Sequence, residues 1–368
     1  MNSLRPRSSQ AIHHAIKYTL SASARNHNGK DQASYNAGRA ARGATTQASA
    51  ATNRRGAMNP MRQMLLKASE SAWMRERAAR FGFVRRSAAR FLPGEDEDSA
   101  LAAARELAGN GIATLLTHLG ENVFSRAEAE GVTAAYLELI EHIRSARLPA
   151  EISVKLTQLG LDMDREFCFE NLSRLIERSR AAGDKTVWVD MEQSQYVDAT
   201  LEFFSRARQA SRNVGVCVQT YLYRTQKDIE TLIAMGATVR LVKGAYSEPA
   251  EIAFPKKKDV DATFFRLAQT LLGPEARRSG VRAVMGTHDR KLIARICDWA
   301  ASHGIAKNEI EFAMLYGIQR AEQLRLAREG YRSDVLVSYG SHWFPWFMRR
   351  LAERPANVFF VARNLLGD

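Results

Sequence analysis

From about residue 110 onward, short apolar runs alternate with stretches of helical periodicity. The runs lie at 112–116, 152–156, 186–189, 214–218, 239–242, 281–285, 310–314 and 335–337. Their starts are roughly 25 to 45 residues apart, enough for a strand, a crossover helix and two loops, and parallel strands require such crossovers. Between them, 169–182 and 199–210 carry apolar residues at the helical period. A parallel strand covered on both faces is apolar throughout rather than alternating, and 214–218 and 239–242 largely read that way. Eight such runs predict an α/β fold, a closed (β/α)8 TIM-like barrel over residues 110–368. A doubly wound open sheet is the alternative, but the turn Thr117-His118-Leu119-Gly120-Glu121 lacks the glycine-rich fingerprint usual after its first strand.

Ahead of the barrel, Met61, Met64, Leu65, Ala68, Ala72 and Met74 recur at helical spacing with arginines between them, which predicts a helical arm over 58–109. Pro93-Gly94 interrupts it, and the acidic run from Glu95 to Asp98 reads as a loop entering a helix, because acids favour a helix N-terminus. Residues 1–57 are different in kind. They hold nine Lys or Arg against the single acid Asp31, and few large apolar residues. Such a segment cannot bury enough surface to offset its ordering entropy, so it is expected to be a disordered basic leader. Its composition resembles an organelle transit peptide; a solvated tail, or an upstream start before Met58 or Met61, is the plainer reading.

The whole chain carries a net charge of +13, which on its own would raise nucleic acid or an anionic membrane as partners. Most of that charge sits in the leader, leaving the barrel nearly balanced. The three cysteines, Cys168, Cys217 and Cys297, are odd in number and far apart. They fit neither a disulfide framework nor a zinc site, so no metal is expected and the compartment is read as reducing. No apolar run is long enough for a transmembrane helix.

In barrels of this kind the chemistry collects at the carboxyl ends of the strands. The residues predicted there are Thr117 and Glu121, Lys155, Asp190 and Glu192, Gln219, Arg240 with Lys243 and Tyr246, Thr287 and His288, Tyr316, and Tyr339. Any one could be an ordinary cap or ion-pair partner; polar groups at all eight ends suggest a site. Arg240 stands out, because a charge inside a strand must enter the barrel mouth or be paired. A second cluster, Arg349-Arg350-Leu351-Ala352-Glu353, follows the bulky stretch 343–348. It reads either as a surface i,i+4 pair or as two guanidiniums beside an apolar wall, which suits a small carboxylate with a hydrophobic body such as an amino or imino acid. The aromatic stretch itself could also be core or a membrane contact.

Several ordered segments resemble the proline dehydrogenase family over roughly residues 110 to 366. They are Ser153-Val154-Lys155-Leu156, Val189-Asp190-Met191-Glu192, the run from Val239 to Tyr246, Thr287-His288, the run from Glu311 to Gly317, and the run from Arg349 to Glu353. The resemblance implies non-covalent FAD, oxidation of L-proline to Δ1-pyrroline-5-carboxylate, and electrons passed to a membrane quinone. Carried over by position, Asp190 and Arg240 would be the polar pair tied to turnover. Lys155, Leu315, Tyr246, Arg349, Arg350 and Glu353 would line the substrate site. Met191, Gln219, Arg240, Lys243, Gly244, Ala245, Thr287 and His288 would hold FAD, and Glu121 would pair with Arg349 as a gate. The flavin would carry the redox chemistry, leaving the protein chiefly to position the substrate. Quinone reduction implies a cytoplasmic protein with peripheral contact at the inner face of the membrane, and no role for nucleic acid.

The chain departs from the family pattern at Leu336 and Trp346, where tyrosines are usual. That leaves open the preference between proline and other cyclic imino acids such as hydroxyproline, with Tyr339 as a replacement hydroxyl. Two rival functions remain at this stage. One is a Schiff-base aldolase using Lys155 or Lys243; the other is a nucleic-acid binder using the leader.

Overall fold

The computed structural model describes residues 86–120 and 123–353. Eight parallel strands, β1 Ala113–His118, β2 Ala150–Val154, β3 Val187–Val189, β4 Val214–Gln219, β5 Thr238–Val242, β6 Arg282–Gly286, β7 Glu311–Leu315 and β8 Arg332–Tyr339, pair in chain order. Strand β1 closes on β8 to complete the barrel, so the open-sheet alternative falls. The expected arm over 58–85 and the leader lie outside the described residues.

Helix α1 (Glu97–Ala108) precedes the barrel, and its N-cap is Asp96, whose carboxylate accepts from the Ser99 N–H at 2.7 Å. The crossover helices are α2 Arg126–Ser145, α3 Arg165–Ala181, α4 Val197–Ala210, α5 Thr225–Ala234, α6 Lys257–Leu272 with the short α7 Pro274–Arg278, α8 Arg290–Ser302 and α9 Arg320–Arg328; α10 Trp343–Glu353 follows β8. The longer crossover helices turn an apolar stripe to the sheet. In α8, Leu292, Ile293, Ile296 and Ala300 make that stripe.

Strand alternation divides the core. In β5, Val239 and Leu241 join the layer between barrel and helices, which turns Arg240 inward. The barrel interior is filled at mid-height by Leu115, Trp188, Val284 and Ala313, with Leu336 against them. Trp188 is fully buried, and it fits because residue 215 is glycine: a Cβ there would stand 2.7 Å from the indole ring. Below this layer, at the amino-terminal end, Arg282 bridges Glu151 at 2.7 Å and Glu311 at 2.5 Å. The Trp188 indole N–H donates to Glu151 at 2.7 Å. Burial, with the Glu311 charge beside it, pushes the Asp334 carboxyl well above its usual range. Burial would raise Glu311 as well, but hydrogen bonds from Arg282 and Asp334 bring it below.

Most strand boundaries differ from expectation by a residue or two, and two of the differences have a plain cause. Strand β2 stops at Val154, because Lys155 becomes the N-cap of a 3-10 turn over Leu156–Leu159. Strand β8 begins three residues early, at Arg332, where Arg332 pairs with Glu311 at 3.1 Å and Asp334 joins the lower network. Tyr339 is also corrected: it is buried in the outer core, edge-on to His118 at 5.3 Å. It is therefore not a substitute hydroxyl in the barrel mouth.

Candidate active site at the carboxyl mouth

Three strand ends converge on one buried cluster. Arg240, only 4% exposed, pairs with Asp190 from the end of β3. Its Nη2 also donates to Ser153 Oγ at 3.0 Å, and that hydroxyl donates to Asp190 at 2.8 Å. The guanidinium lies over Trp188 at 5.2 Å, while Arg282 lies near the same indole at 5.4 Å. Trp188 therefore separates two cations and supports the upper one. The sequence pointed to Asp190 and Arg240 as a pair. It did not single out Ser153, which lies on β2 two residues before Lys155.

Gln219, at the end of β4, donates from Nε2 to the carbonyls of Met191 and Glu192 at 3.1 and 3.2 Å. Its Oε1 and Arg240 Nη1 are both buried without a hydrogen-bond partner among the described residues. The Cys217 thiol beside the guanidinium is a weak acceptor. An orphan amide acceptor and an orphan guanidinium donor in one mouth are costly unless a ligand completes them. A polar ring edge bearing both an N–H and carbonyl oxygens has the right complement, which a flavin supplies.

Glu192 is the acid that sequence reasoning placed at this mouth without giving it a role. It accepts from Thr157 Oγ1 at 2.7 Å and Thr157 N–H at 3.3 Å. Burial pushes its pKa up to about 7, against the opposing charge of Lys155. Lys155 is itself buried, at 7% exposure, so an ammonium and an acid of shifted affinity share the floor of the site.

The remaining expected ligands fall on the same rim. Thr287 is buried at the end of β6, with its N–H on the Ala313 carbonyl at 3.1 Å. His288 Nε2 accepts from the Leu315 N–H at 3.2 Å, which ties the loop after β6 to the end of β7. Gly244 has φ +106°, and a Cβ there would meet the Tyr221 ring at 2.0 Å, so only glycine serves. Ala245 and Tyr246 continue that loop, half-buried. Lys243 is bound to Asp261 at 2.5 Å and Asp289 at 3.0 Å. Burial raises the Asp289 carboxyl, but Lys243 and Lys257 outweigh it and bring it to about 2.

Arg350 is half-buried on α10, with its guanidinium 5.6 Å from the Trp346 ring. Helix α10 also carries positions 349 and 353. Glu121, and with it the expected Glu121–Arg349 gate, lies outside the described residues, as do the side chains of Arg349 and Glu353. Of the two departures from the family pattern, Leu336 belongs to the mid-barrel layer beside Trp188. Trp346 belongs to a separate apolar cluster under α10.

The chain is similar to known proteins. The family model described as proline dehydrogenase matches residues 100–363. Proline dehydrogenase 2 of Bacillus subtilis (strain 168) is 36% identical over 304 residues, covering 83% of this chain and 98% of that protein. The proline dehydrogenase of Deinococcus radiodurans is 37% identical over 284 residues, covering 76% and 90%. Among solved structures, proline utilization A from Bdellovibrio bacteriovorus superposes with a TM-score of 0.68 at 21% identity, over 80% of this chain and 41% of that longer one. That likeness bears on the fold alone.

Proposed function

The chain belongs to the proline dehydrogenase family, and on that premise we propose that it oxidises L-proline to Δ1-pyrroline-5-carboxylate with non-covalent FAD and a membrane quinone as the final acceptor. The observation that carries the flavin assignment is the buried Ser153–Asp190–Arg240 cluster with Arg240 Nη1 and Gln219 Oε1 left unsatisfied beside it. Bound there, FAD would accept the hydride that leaves the carbon next to the ring nitrogen.

The protein's own part is binding, orientation and charge. Arg240, held in place by Asp190 and Ser153, is a fixed positive charge that would stabilise negative charge on a bound flavin without reorganisation. Gln219, Thr287, His288, Met191, Gly244, Ala245 and Lys243 form the rest of the proposed cofactor rim. Arg350 with Arg349 would take the proline carboxylate by paired hydrogen bonds. Leu315 and Tyr246 would face the ring, with Lys155 and Glu353 lining the same pocket. A substrate amine must be neutral to lose hydride, and Glu192, whose pKa burial pushes up to about 7, would give the released proton a place to reside.

The aldolase reading loses one of its two lysines here. Two carboxylates engage the Lys243 ammonium, whereas a Schiff-base amine needs its lone pair free. Among the described residues no helix is long and apolar enough to cross a membrane, so quinone access would be through peripheral contact at the inner face. The decisive test is anaerobic titration of the purified protein with L-proline while following visible flavin absorbance. Bleaching by proline is expected. Bleaching only by another cyclic imino acid would overturn the substrate, and failure to bind FAD at all would overturn the reading.

A further inference from the structure

Helix α10 does not sit on the main core. Its buried face, including Trp343, Phe347 and Leu351, forms a separate apolar cluster with Phe91, Leu92 and Leu119. The segment before α1 is thus the floor on which α10 rests. Phe91 meets Phe347 with ring centroids 6.2 Å apart, and the Trp343 indole N–H donates to Glu95 at 3.1 Å. The segment is itself pinned to the barrel. Gly317, just past β7, lies so close beneath it that a Cβ would fall 1.7 Å from the Arg90 carbonyl oxygen. Leu119, the third side of the cluster, is fixed by its N–H to the Tyr339 carbonyl at 2.6 Å.

From this packing we propose that residues 88–95 position the substrate-carboxylate clamp. Phe91, through Phe347, and Glu95, through Trp343, set the height and rotation of α10 and so the reach of its arginines into the mouth. The proposal rests on the reading of Arg349 and Arg350 as carboxylate ligands. These are positioning residues, since none of them touches the proposed substrate. Their effect should fall on binding rather than on the redox step, because Arg240 and Gln219 belong to a different part of the core.

The test uses the flavin-loaded enzyme carrying Phe91→Ala, Phe91→Leu, Trp343→Phe or Arg350→Met. Phe91→Ala should raise KM for L-proline by about ten- to a hundredfold, the usual consequence of a small misplacement, with kcat within about twofold. Its Kd for a five-membered-ring carboxylate that lacks the amine, read from the flavin spectrum, should rise by the same factor. The flavin reduction potential should not move. Phe91→Leu should recover most of the loss, and Trp343→Phe, which keeps the ring but drops the Glu95 bond, should give a smaller rise in KM. Equal falls in kcat and kcat/KM, or a lower melting temperature with unchanged KM, would overturn the positioning role. If Arg350→Met raises KM while Phe91→Ala and Trp343→Phe do not, the clamp stands and the positioning proposal fails. If Arg350→Met also leaves KM unchanged, the reading of the arginines fails first.

Discussion

Removing Asp190 should reveal how tightly the mouth is built. Arg240 is 4% exposed and the Asp190 side chain 18%. Truncating one partner of a buried ion pair leaves the other charge uncompensated, which typically costs about 3–5 kcal/mol. Here the residual exposure of Asp190 and the remaining bond from Arg240 to Ser153 place Asp190→Ala at the low end, about 3 kcal/mol. For a barrel of this size that corresponds to a fall in melting temperature of roughly 6–10 °C. The double variant Asp190→Leu/Arg240→Met replaces both charges with apolar groups, and should lie within about 1 kcal/mol of the parent. Urea unfolding of the flavin-free proteins, including Asp190→Leu and Arg240→Met singly, completes the cycle without a contribution from ligand affinity. Additive single losses, with the double variant as unstable as their combination, would show that the two side chains are not energetically coupled and refute the argument.

Two further outcomes follow from groups elsewhere in the barrel. Because burial raises the Asp334 carboxyl, its favourable contribution is complete below the unfolded-chain value of about 3.9 and is lost as pH rises through the higher folded value. Asp334→Asn should therefore raise the melting temperature at neutral and alkaline pH but not in acid; a gain independent of pH would contradict this origin. Gly244→Ala must strain a φ of +106° and displace the Tyr221 ring, so a stability loss of at least about 2 kcal/mol and weaker flavin retention on dialysis are expected; unchanged retention would show that this turn does not shape the cofactor rim.

Parallel strands gave themselves away as short, largely apolar runs, and each of the eight runs overlaps a strand of the barrel. The early part of β8 was hidden because Arg332, Ser333 and Asp334 look like turn residues until Arg332 and Asp334 are seen to engage Glu311 and Ser333 the Gln323 carbonyl. Arg240 was legible for a related reason: a charge in mid-strand needs a partner, and Asp190 supplies it. Ser153 and the shifted acidity of Glu192 were not legible, since both depend on neighbours from other strands. Tyr339 misled because a strand end alone does not tell which way its last side chain turns. The aromatic stretch at 343–348 proved to be a core of its own.

Trp188 gives the barrel a solid waist. With Leu115, Val284 and Ala313 packed around it, the axis is not a passage, and the charged layer at the amino-terminal end cannot exchange solvent with the mouth through it. On the proposed function, the amino acid, its imine product and an electron carrier would all use the carboxyl face. Sharing one door, they would be received in turn, so the plug in the middle of the fold would set an order in time as well as a shape in space.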